Sequence, residues 1–465
     1  MGTVSFHLRP YQEEMIEAIR AELRISRSVV AVAPTGSGKT ALAAFMIGTA
    51  AARGKRVWMT VHRDFLLTQT AGALDKAGVE YGFIASGFPY NPHQDVHVVS
   101  IQTAVRRLDR LRLPDLLVTD ECHHVPSATW AKVHHWAGGA HHVGLTASPA
   151  RLDGRGLGDF YRALVRGPSP AWLIERGFLS TYRAYAPGSP DLRGVHTRAG
   201  EYVTRELAAV MDTDTIVGNV VGQYRRLANG KKALYFAVSI DHSKHIAAGF
   251  TNAGVPARHL DADSSLDERV RAARDLAGGE LRVLSCVDLF GEGYDLSAQS
   301  GRDVSVEAVG LCRPTQSLTL HLQQIGRALR PKPEPAIILD HAGNIMRHGL
   351  PDEEREWSLD GVARKKSDKD VGPPVHVCES CYGTYRTQLL ACPYCGAIRE
   401  IQRRVVEEVE QDLVEADIRL VRAARVREQA RAESLLELRA LAAARGYKPA
   451  WADHIWRARQ ARREA

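Results

Sequence analysis

The chain has 465 residues, 45% of them apolar and 25% charged, with a formal charge of +7. That length implies about three domains, and no apolar run approaches the roughly 20 residues of a membrane-spanning helix. The first ten residues lack the apolar core of an export signal, so a cytoplasmic protein with no membrane contact is expected. The positive surplus is compatible with a nucleic-acid partner but too modest to argue for one.

In chain order, residues 1–166 alternate short β-branched apolar runs with helical patterns, as a parallel α/β domain does. Strands are predicted at 29–33, 56–61, 96–100, 116–119 and 142–145. Residues 167–200 are rich in Gly and Pro and read as a linker with one helix at 171–176. A second α/β domain follows over 201–346, with strands at 233–238, 257–260, 281–286, 307–311 and 336–340. Residues 347–374 form a charged connector containing Arg364-Lys365-Lys366, and 375–400 hold four clustered cysteines. From 401 to 465 the pattern is a helical arm, free of Gly and Pro as far as Arg445, then restarted as a short basic helix after Gly446-Tyr447-Lys448-Pro449. Intermixed Glu and Arg make this arm a solvated structural element more than a binding surface.

The first chemical signal is Ala33-Pro34-Thr35-Gly36-Ser37-Gly38-Lys39-Thr40, set between a predicted strand and a helical run. Such a loop curls its backbone N–H groups toward phosphates, and the helix N-terminus adds partial positive charge. Lys39 is placed to reach the β- and γ-phosphates of ATP, and the Thr40 hydroxyl to ligate Mg²⁺. The second signal is Asp120-Glu121-Cys122-His123, at the end of an apolar strand. A carboxylate there can hold the same Mg²⁺, assigned to Asp120, while its neighbour Glu121 orients or deprotonates the attacking water. Cys122 reads as a packing residue.

The third signal is metal spacing. Cys378-x₂-Cys381 and Cys392-x₂-Cys395 stand ten residues apart. Two such knuckles supply the closed four-sulfur set of structural Zn²⁺ and leave no coordination position for catalysis. Tyr382, Tyr385, Arg386 and Tyr394 fall inside this module, either as a base-stacking surface or as its small core. Paired histidines such as His134-His135 and His141-His142 make poor metal sites, because neighbours in a strand face opposite ways.

With these motifs in order, the chain resembles the superfamily 2 helicases of the DEAD/DEAH-like group over about residues 5–345. Arg9-Pro10-Tyr11-Gln12 looks like the adenine-sensing segment, Asp120-Glu121-Cys122-His123 like a DECH box, Thr146-Ala147-Ser148 like the third motif. Phe290-Gly291-Glu292-Gly293-Tyr294-Asp295 looks like motif V, and Gln323-Gln324-Ile325-Gly326-Arg327-Ala328-Leu329-Arg330 like motif VI. The resemblance implies two tandem RecA-like P-loop domains, then a small zinc ribbon and the helical arm. It further implies Gln12 and Asp295 as ATP contacts beside Pro34 to Thr40, and Arg327 and Arg330 as arginine fingers. His123, Thr146, Ser148 and Gln323 would couple ATP state to movement. His62, Arg63, Gln102, Thr103, Glu292 and Gly293 would touch nucleic acid. Residues 297–304 look like an insertion relative to the family pattern. Within the family the chain is most similar to bacterial RadD-type repair helicases and related phage proteins.

The implied activity is ATP-dependent movement on single-stranded or branched DNA in repair, recombination or phage replication. RNA is the less favoured track, because the DECH box and Ser100-Ile101-Gln102-Thr103 resemble the DNA-acting branch. Rival readings are a translocating subunit of a restriction or defence system, or an ATP-gated clamp that recruits protein partners through the zinc module or the arm.

Overall fold

The structure is a computed structural model; it describes residues 7–61, 64–149, 156–186, 188, 190–198, 200–287, 296–302, 304–360, 375–399, 418–448 and 450–463. Two compact units divide at Arg399 and Glu400.

The larger unit contains two parallel sheets. Seven strands form the first: β1 (Ser28–Val32), β2 (Val57–Val61), β3 (Gly82–Ile84), β4 (Val96–Ser100), β5 (Leu116–Asp120), β6 (His141–Thr146) and β7 (Ala163–Arg166), in the order β3-β4-β2-β5-β6-β1-β7. Six form the second: β8 (Tyr182–Tyr185), then, after a two-stranded ribbon of β9 (Thr197–Arg198) and β10 (Glu201–Tyr202), β11 (Ala233–Phe236), β12 (Ala257–Leu260), β13 (Val283–Cys286), β14 (Ala308–Leu311) and β15 (Ala336–Asp340). Their order is β12-β13-β11-β14-β15-β8. Every pairing within both sheets is parallel, so each sheet is covered on both faces by crossover helices. That explains why strands such as Val57–Val61 and Ala336–Asp340 are buried at every position. This is the architecture of tandem RecA-like domains.

All ten predicted strands are present. Three were missed: Gly82–Ile84 is only three residues long and begins with Gly, Tyr182–Tyr185 is short and carries Arg, and Ala163–Arg166 follows a Gly-rich stretch of sequence. The stretch read as a linker therefore contributes an edge strand, Tyr182–Tyr185, paired with Ala336–Asp340. Residues 296–300, inside the suspected insertion, form a short helix.

Helix α1 (Pro10–Ser26) starts with Pro at its first position, where the missing N–H costs nothing. It buries Tyr11, Met15, Ile16 and Ile19 along one face, each worth about 1.5–3 kcal/mol. Helix α2 (Lys39–Ala51) is apolar nearly all round because it lies between sheet and α1.

The described residues of the smaller unit are helical, as expected. Ile418–Arg431 and Leu435–Ala444 are separate helices, because the Ser434 hydroxyl accepts the Glu437 N–H and starts a new one. With Ala450–Arg463 they enclose Leu438, Ala442 and Ala452. No helix among the described residues is long and apolar enough to cross a membrane.

Candidate active site at the cleft between two sheets

Strand β1 delivers the phosphate loop. Gly36 and Gly38 both have left-handed φ, 88° and 87°, a conformation that side chains rarely adopt. Gly38 has a second constraint: a Cβ there would stand 2.5 Å from Gln12 Nε2. The loop is braced from α1. The Tyr11 hydroxyl donates to the Ser37 carbonyl at 2.6 Å, and the Gln12 amide donates to the same carbonyl at 3.1 Å. Gln12 is in turn fixed by the Arg9 N–H, which donates to its Oε1 at 2.9 Å. Lys39, first residue of α2, donates its ammonium to the Ala33 carbonyl at 3.2 Å. Two left-handed glycines at the N-terminus of an apolar helix make a cradle that fits polyphosphate.

Beside it, β5 ends in Asp120 and β6 in Thr146, whose carbonyl accepts the Ala33 N–H at 3.0 Å. Glu121 is left-handed, with φ 47°, at a cost of about 1–2 kcal/mol for a residue that is not glycine. The Asp120 carboxylate holds it there by accepting the Glu121 N–H at 3.0 Å. Stored strain of this kind concentrates at functional sites. Glu121 is only 5% exposed, and its carboxylate lies 3.4 Å from His123 Nδ1. The same ring nitrogen is 3.2 Å from the Thr146 hydroxyl, which donates to the Ser148 carbonyl at 2.8 Å. Glu121, His123, Thr146 and Ser148 are therefore one continuous polar chain along the sheet's C-terminal edge. Cys122 is fully buried, its thiol pushed well up by desolvation, and a Cβ on Gly144 would meet its sulfur at 2.7 Å. Packing is its role.

The second sheet supplies the facing wall. Helix Leu318–Gly326, capped by the Ser317 hydroxyl, carries Gln323 buried at 1% exposure and ends at Arg327, buried at 8%. It rests directly on the phosphate loop: a Cβ on Gly326 would be 2.4 Å from Thr35 Cβ. A Cβ on Gly36 would stand 3.9 Å from the Arg330 side chain and 3.0 Å from Leu179. Thus Gln12 braces residues 34–40; Asp120, Glu121, His123, Thr146 and Ser148 stand at or just beyond the ends of β5 and β6; and Gly326 and Arg330 meet the loop from the second sheet, with Gln323 on and Arg327 at the end of the same helix.

Gln102 and Thr103 do not join them. They sit on the short helix Ile101–Ala104 after β4, at the same sheet edge but beyond β2, with Gln102 accepting from the Ser100 hydroxyl at 3.1 Å. His62, Arg63, Glu292, Gly293 and Asp295 lie outside the described residues.

Comparison with known proteins agrees with this arrangement. Residues 5–151 match the family described as type III restriction enzyme, res subunit, and residues 215–332 match the helicase conserved C-terminal domain. A 51.5 kDa protein of Lactococcus phage (isolate 7-9) is 33% identical over 83% of this chain and 82% of its own. The DNA 3'-5' translocase XPB2 of Sulfurisphaera tokodaii is 31% identical over 72% of this chain and 81% of its own. The chain belongs to the superfamily 2 helicases. It is accordingly an ATP-hydrolysing enzyme. The putative ATP-dependent helicase IRC3 of Saccharomyces cerevisiae is 26% identical over 70% of this helicase, which spans only 49% of that longer relative. Among solved structures, the ATP-dependent Type ISP restriction-modification enzyme LlaBIII bound to DNA superposes with a TM-score of 0.55 at 18% identity, covering 72% of this helicase and 28% of that chain. Dbp5 of S. cerevisiae bound to RNA and ADP BeF3 gives 0.51 at 13%, covering 74% and 93%. At those identities the likeness concerns the fold alone.

The helicase carries Cys378 and Cys381 in the turn of a hairpin of β16 (Val375–Val377) and β17 (Thr384–Arg386), and Cys392 and Cys395 in a following turn closed by a bridge between Ala391 and Ile398. The four sulfurs lie within 4.8 Å of one another, with Cys378–Cys395 at 3.6 Å and Cys381–Cys392 at 3.7 Å. Four sulfurs about 2.3 Å from one tetrahedral ion stand about 3.8 Å apart, so the set fits a single metal. Burial works against the Cys378 thiolate, yet backbone N–H groups of Cys381 and Ser380 outweigh it and its pKa falls to about 7. Tyr385 is 3% exposed beneath the sulfurs, and Tyr394 packs on Tyr185 of the second sheet with ring centroids 5.5 Å apart. Tyr385 belongs to the module's small core, and Tyr394 is half-buried against it. The Ala186 N–H donates to the Tyr382 carbonyl at 3.0 Å, so the module is fastened to the edge strand β8.

Sequence reasoning gave no role to Tyr11, although it quoted the motif that contains it. Trp172 and Phe178 form an aromatic group with Tyr11 at 6.0 and 5.0 Å, and only folding puts Leu179, the neighbour of Phe178, over Gly36.

Proposed function

We propose that this helicase couples ATP hydrolysis to movement along DNA through closure of its two RecA-like domains. The observation that supports it best is the seating of Gly326 on Thr35 and of Arg330 beside Gly36, because it brings the end of a helix of one sheet, followed by Arg327 and Arg330, against the phosphate loop of the other. In this reading Lys39 and the N–H groups of residues 36–40 bind the phosphates, and Gln12 senses the base. The Thr40 hydroxyl and Asp120 hold Mg²⁺, which would neutralise phosphate charge. Glu121 positions the attacking water and takes its proton. Arg327 and Arg330 stabilise charge developing in the transition state only when the cleft is closed, so chemistry is tied to geometry. The chain from Glu121 through His123 and Thr146 to Ser148 would carry that state toward the track.

DNA is preferred to RNA as the track because a relative covering four-fifths of its own length is named a DNA translocase. His62, Arg63, Gln102, Thr103, Glu292 and Gly293 would hold its backbone, without reading sequence. The four cysteines would bind Zn²⁺ as a structural ion, since all ligand positions are filled by protein. A role in DNA repair or phage replication fits the same relatives.

The test is ATP hydrolysis by the full chain with no nucleic acid, single-stranded DNA, branched DNA or RNA at one stated salt concentration, beside the Lys39→Ala variant. Stimulation of at least about tenfold by one DNA form, lost in the variant by about 100- to 1,000-fold, is expected. Equal rates under all four conditions would replace the motor by a clamp, and activity surviving in Lys39→Ala would overturn the phosphate-loop assignment.

A further inference from the structure

After helix Asn344–His348 the chain does not run directly to the cysteine module. Residues 350–360 cross back to the first sheet. At the near end the Arg355 guanidinium donates to the carbonyls of Leu350 at 2.9 Å and Glu353 at 3.0 Å, gathering the turn. The Asp352 carboxylate is a two-way anchor. It accepts the Tyr182 hydroxyl of β8 at 2.5 Å and Arg386 Nη2 of the cysteine hairpin at 3.0 Å.

At the far end the partners belong to the first sheet. Arg166 Nη2 donates to the Trp357 carbonyl at 2.6 Å, and the Gly158 N–H donates to the Leu359 carbonyl at 2.9 Å. Trp357 and Leu359 pack on the apolar cluster that contains Trp58, Leu157 and Tyr161, while Glu356, Ser358 and Asp360 are exposed. That two-residue alternation is what an extended segment shows when it lies along a surface. Gly158 leaves no slack, since a Cβ there would come within 3.3 Å of the Leu359 oxygen. Between this segment, Pro34 and Thr35 of the phosphate loop, and Leu322 and Gly326 of the arginine helix lies a cavity of about 480 Å³.

We propose that residues 350–360 are a strap, pinned by Trp357, that sets the distance between the arginine helix and the phosphate loop, and that Asp352 and Arg386 link that distance to the cysteine module. The proposal rests on the motor reading above. The five steps from Asp352 to Trp357 can span at most about 17 Å. Opening the cleft past that reach must detach Trp357 and Leu359 or pull on Asp352. Trp357 touches no reacting group; it is a positioning residue. Loosening it should weaken the arginines' action in the transition state while leaving ATP binding on the first sheet intact, so kcat falls and KM does not rise.

The experiment measures ATP hydrolysis by the full chain at saturating single-stranded DNA for the wild type, Trp357→Ala, Trp357→Phe, Arg166→Ala and Arg386→Ala, each checked for cooperative melting. Trp357→Ala should lower kcat about tenfold with KM for ATP within about twofold, and Trp357→Phe should recover most of the loss. Arg166→Ala and Arg386→Ala should lower kcat about threefold. Unchanged kcat in a folded Trp357→Ala overturns the strap. So does a rise in KM that accounts for the whole effect. Should Trp357→Ala not fold, Arg166→Ala, which removes one contact of an exposed side chain, decides alone: unchanged kcat overturns the proposal. A wild type that hydrolyses ATP in a Lys39-dependent manner keeps the motor reading standing whatever the strap variants do. A wild type with no hydrolysis overturns both.

Discussion

In the first sheet β1 runs into a loop with two left-handed glycines and then into α2. In the second, β11 runs into Ala237-Val238-Ser239 and a helix whose first N–H groups are met by the Ser239 hydroxyl, which accepts from His242 at 3.2 Å. One turn leaves its N–H groups open to a polyphosphate; the other closes them with its own side chain. In the function proposed above the second sheet places its chemistry elsewhere, after β14, on the helix that ends in Arg327. Parallel sheets of similar construction would then carry complementary halves of one site, because the loops at the strands' C-terminal ends can vary while the buried strands cannot.

The comparison is tested most severely by removing one half at a time. Arg327→Ala should lower kcat by about a thousandfold while KM for ATP changes by no more than about threefold, as expected for a group supplied from the opposite domain. Lys39→Ala should lose nucleotide binding as well. Equal loss of binding in both variants, read by titration with a fluorescent ATP analogue, would mean that the two walls do not divide the work.

A smaller effect separates the motor from its appendage. Cys392→Ser leaves three sulfurs, and metal analysis of that variant should find the bound zinc lost while the ATPase without nucleic acid keeps at least about a third of its rate. Loss of both sheets' cooperative melting would show that the cysteine module is part of the second domain's core.

The mildest test is acid. Burial lowers the pKa of His242, His341 and His348 to about 4 and holds that of His321 well below its usual value, all in the second half; in the first, His134 falls to about 3 and His97 and His142 are also lowered. These rings are neutral in the fold and take protons near pH 6.5 when unfolded. Their contribution is therefore complete above about 6.5 and is lost as pH falls toward 4, by up to about 1.4 kcal/mol per pH unit for each ring. Asp340 opposes them in the second half. Burial raises its pKa to about 6, so the fold binds that proton before the unfolded chain does. Four rings against one carboxyl in the second half, and three rings in the first, leave the two sheets sensitive to acid in similar degree. The melting temperature should fall between about pH 7 and about pH 5, with amide exchange accelerating in both sheets; a flat profile would contradict it.

The sequence by itself determined the parallel α/β class, ten of the thirteen main-sheet strands, the phosphate loop, the acidic pair and the four-cysteine spacing. These are local signals: a buried strand must be apolar, and a loop that wraps phosphate needs glycine where φ is positive. Only the tertiary structure decided what those pieces meet. The polar strand Tyr182–Tyr185 is legible only once Ala336–Asp340 lies beside it, and only the fold sets Tyr394 against Tyr185. The helical pattern from 401 to 445 shows no Gly or Pro, yet it breaks where Ser434 caps a new helix and Leu438 finds Ala452. Glu121 meets His123 and Thr146, Gly326 meets Thr35, and Trp357 returns to the first sheet through contacts between residues far apart in the chain. Periodicity cannot show these contacts, because composition sets which faces are apolar and only packing sets which faces touch.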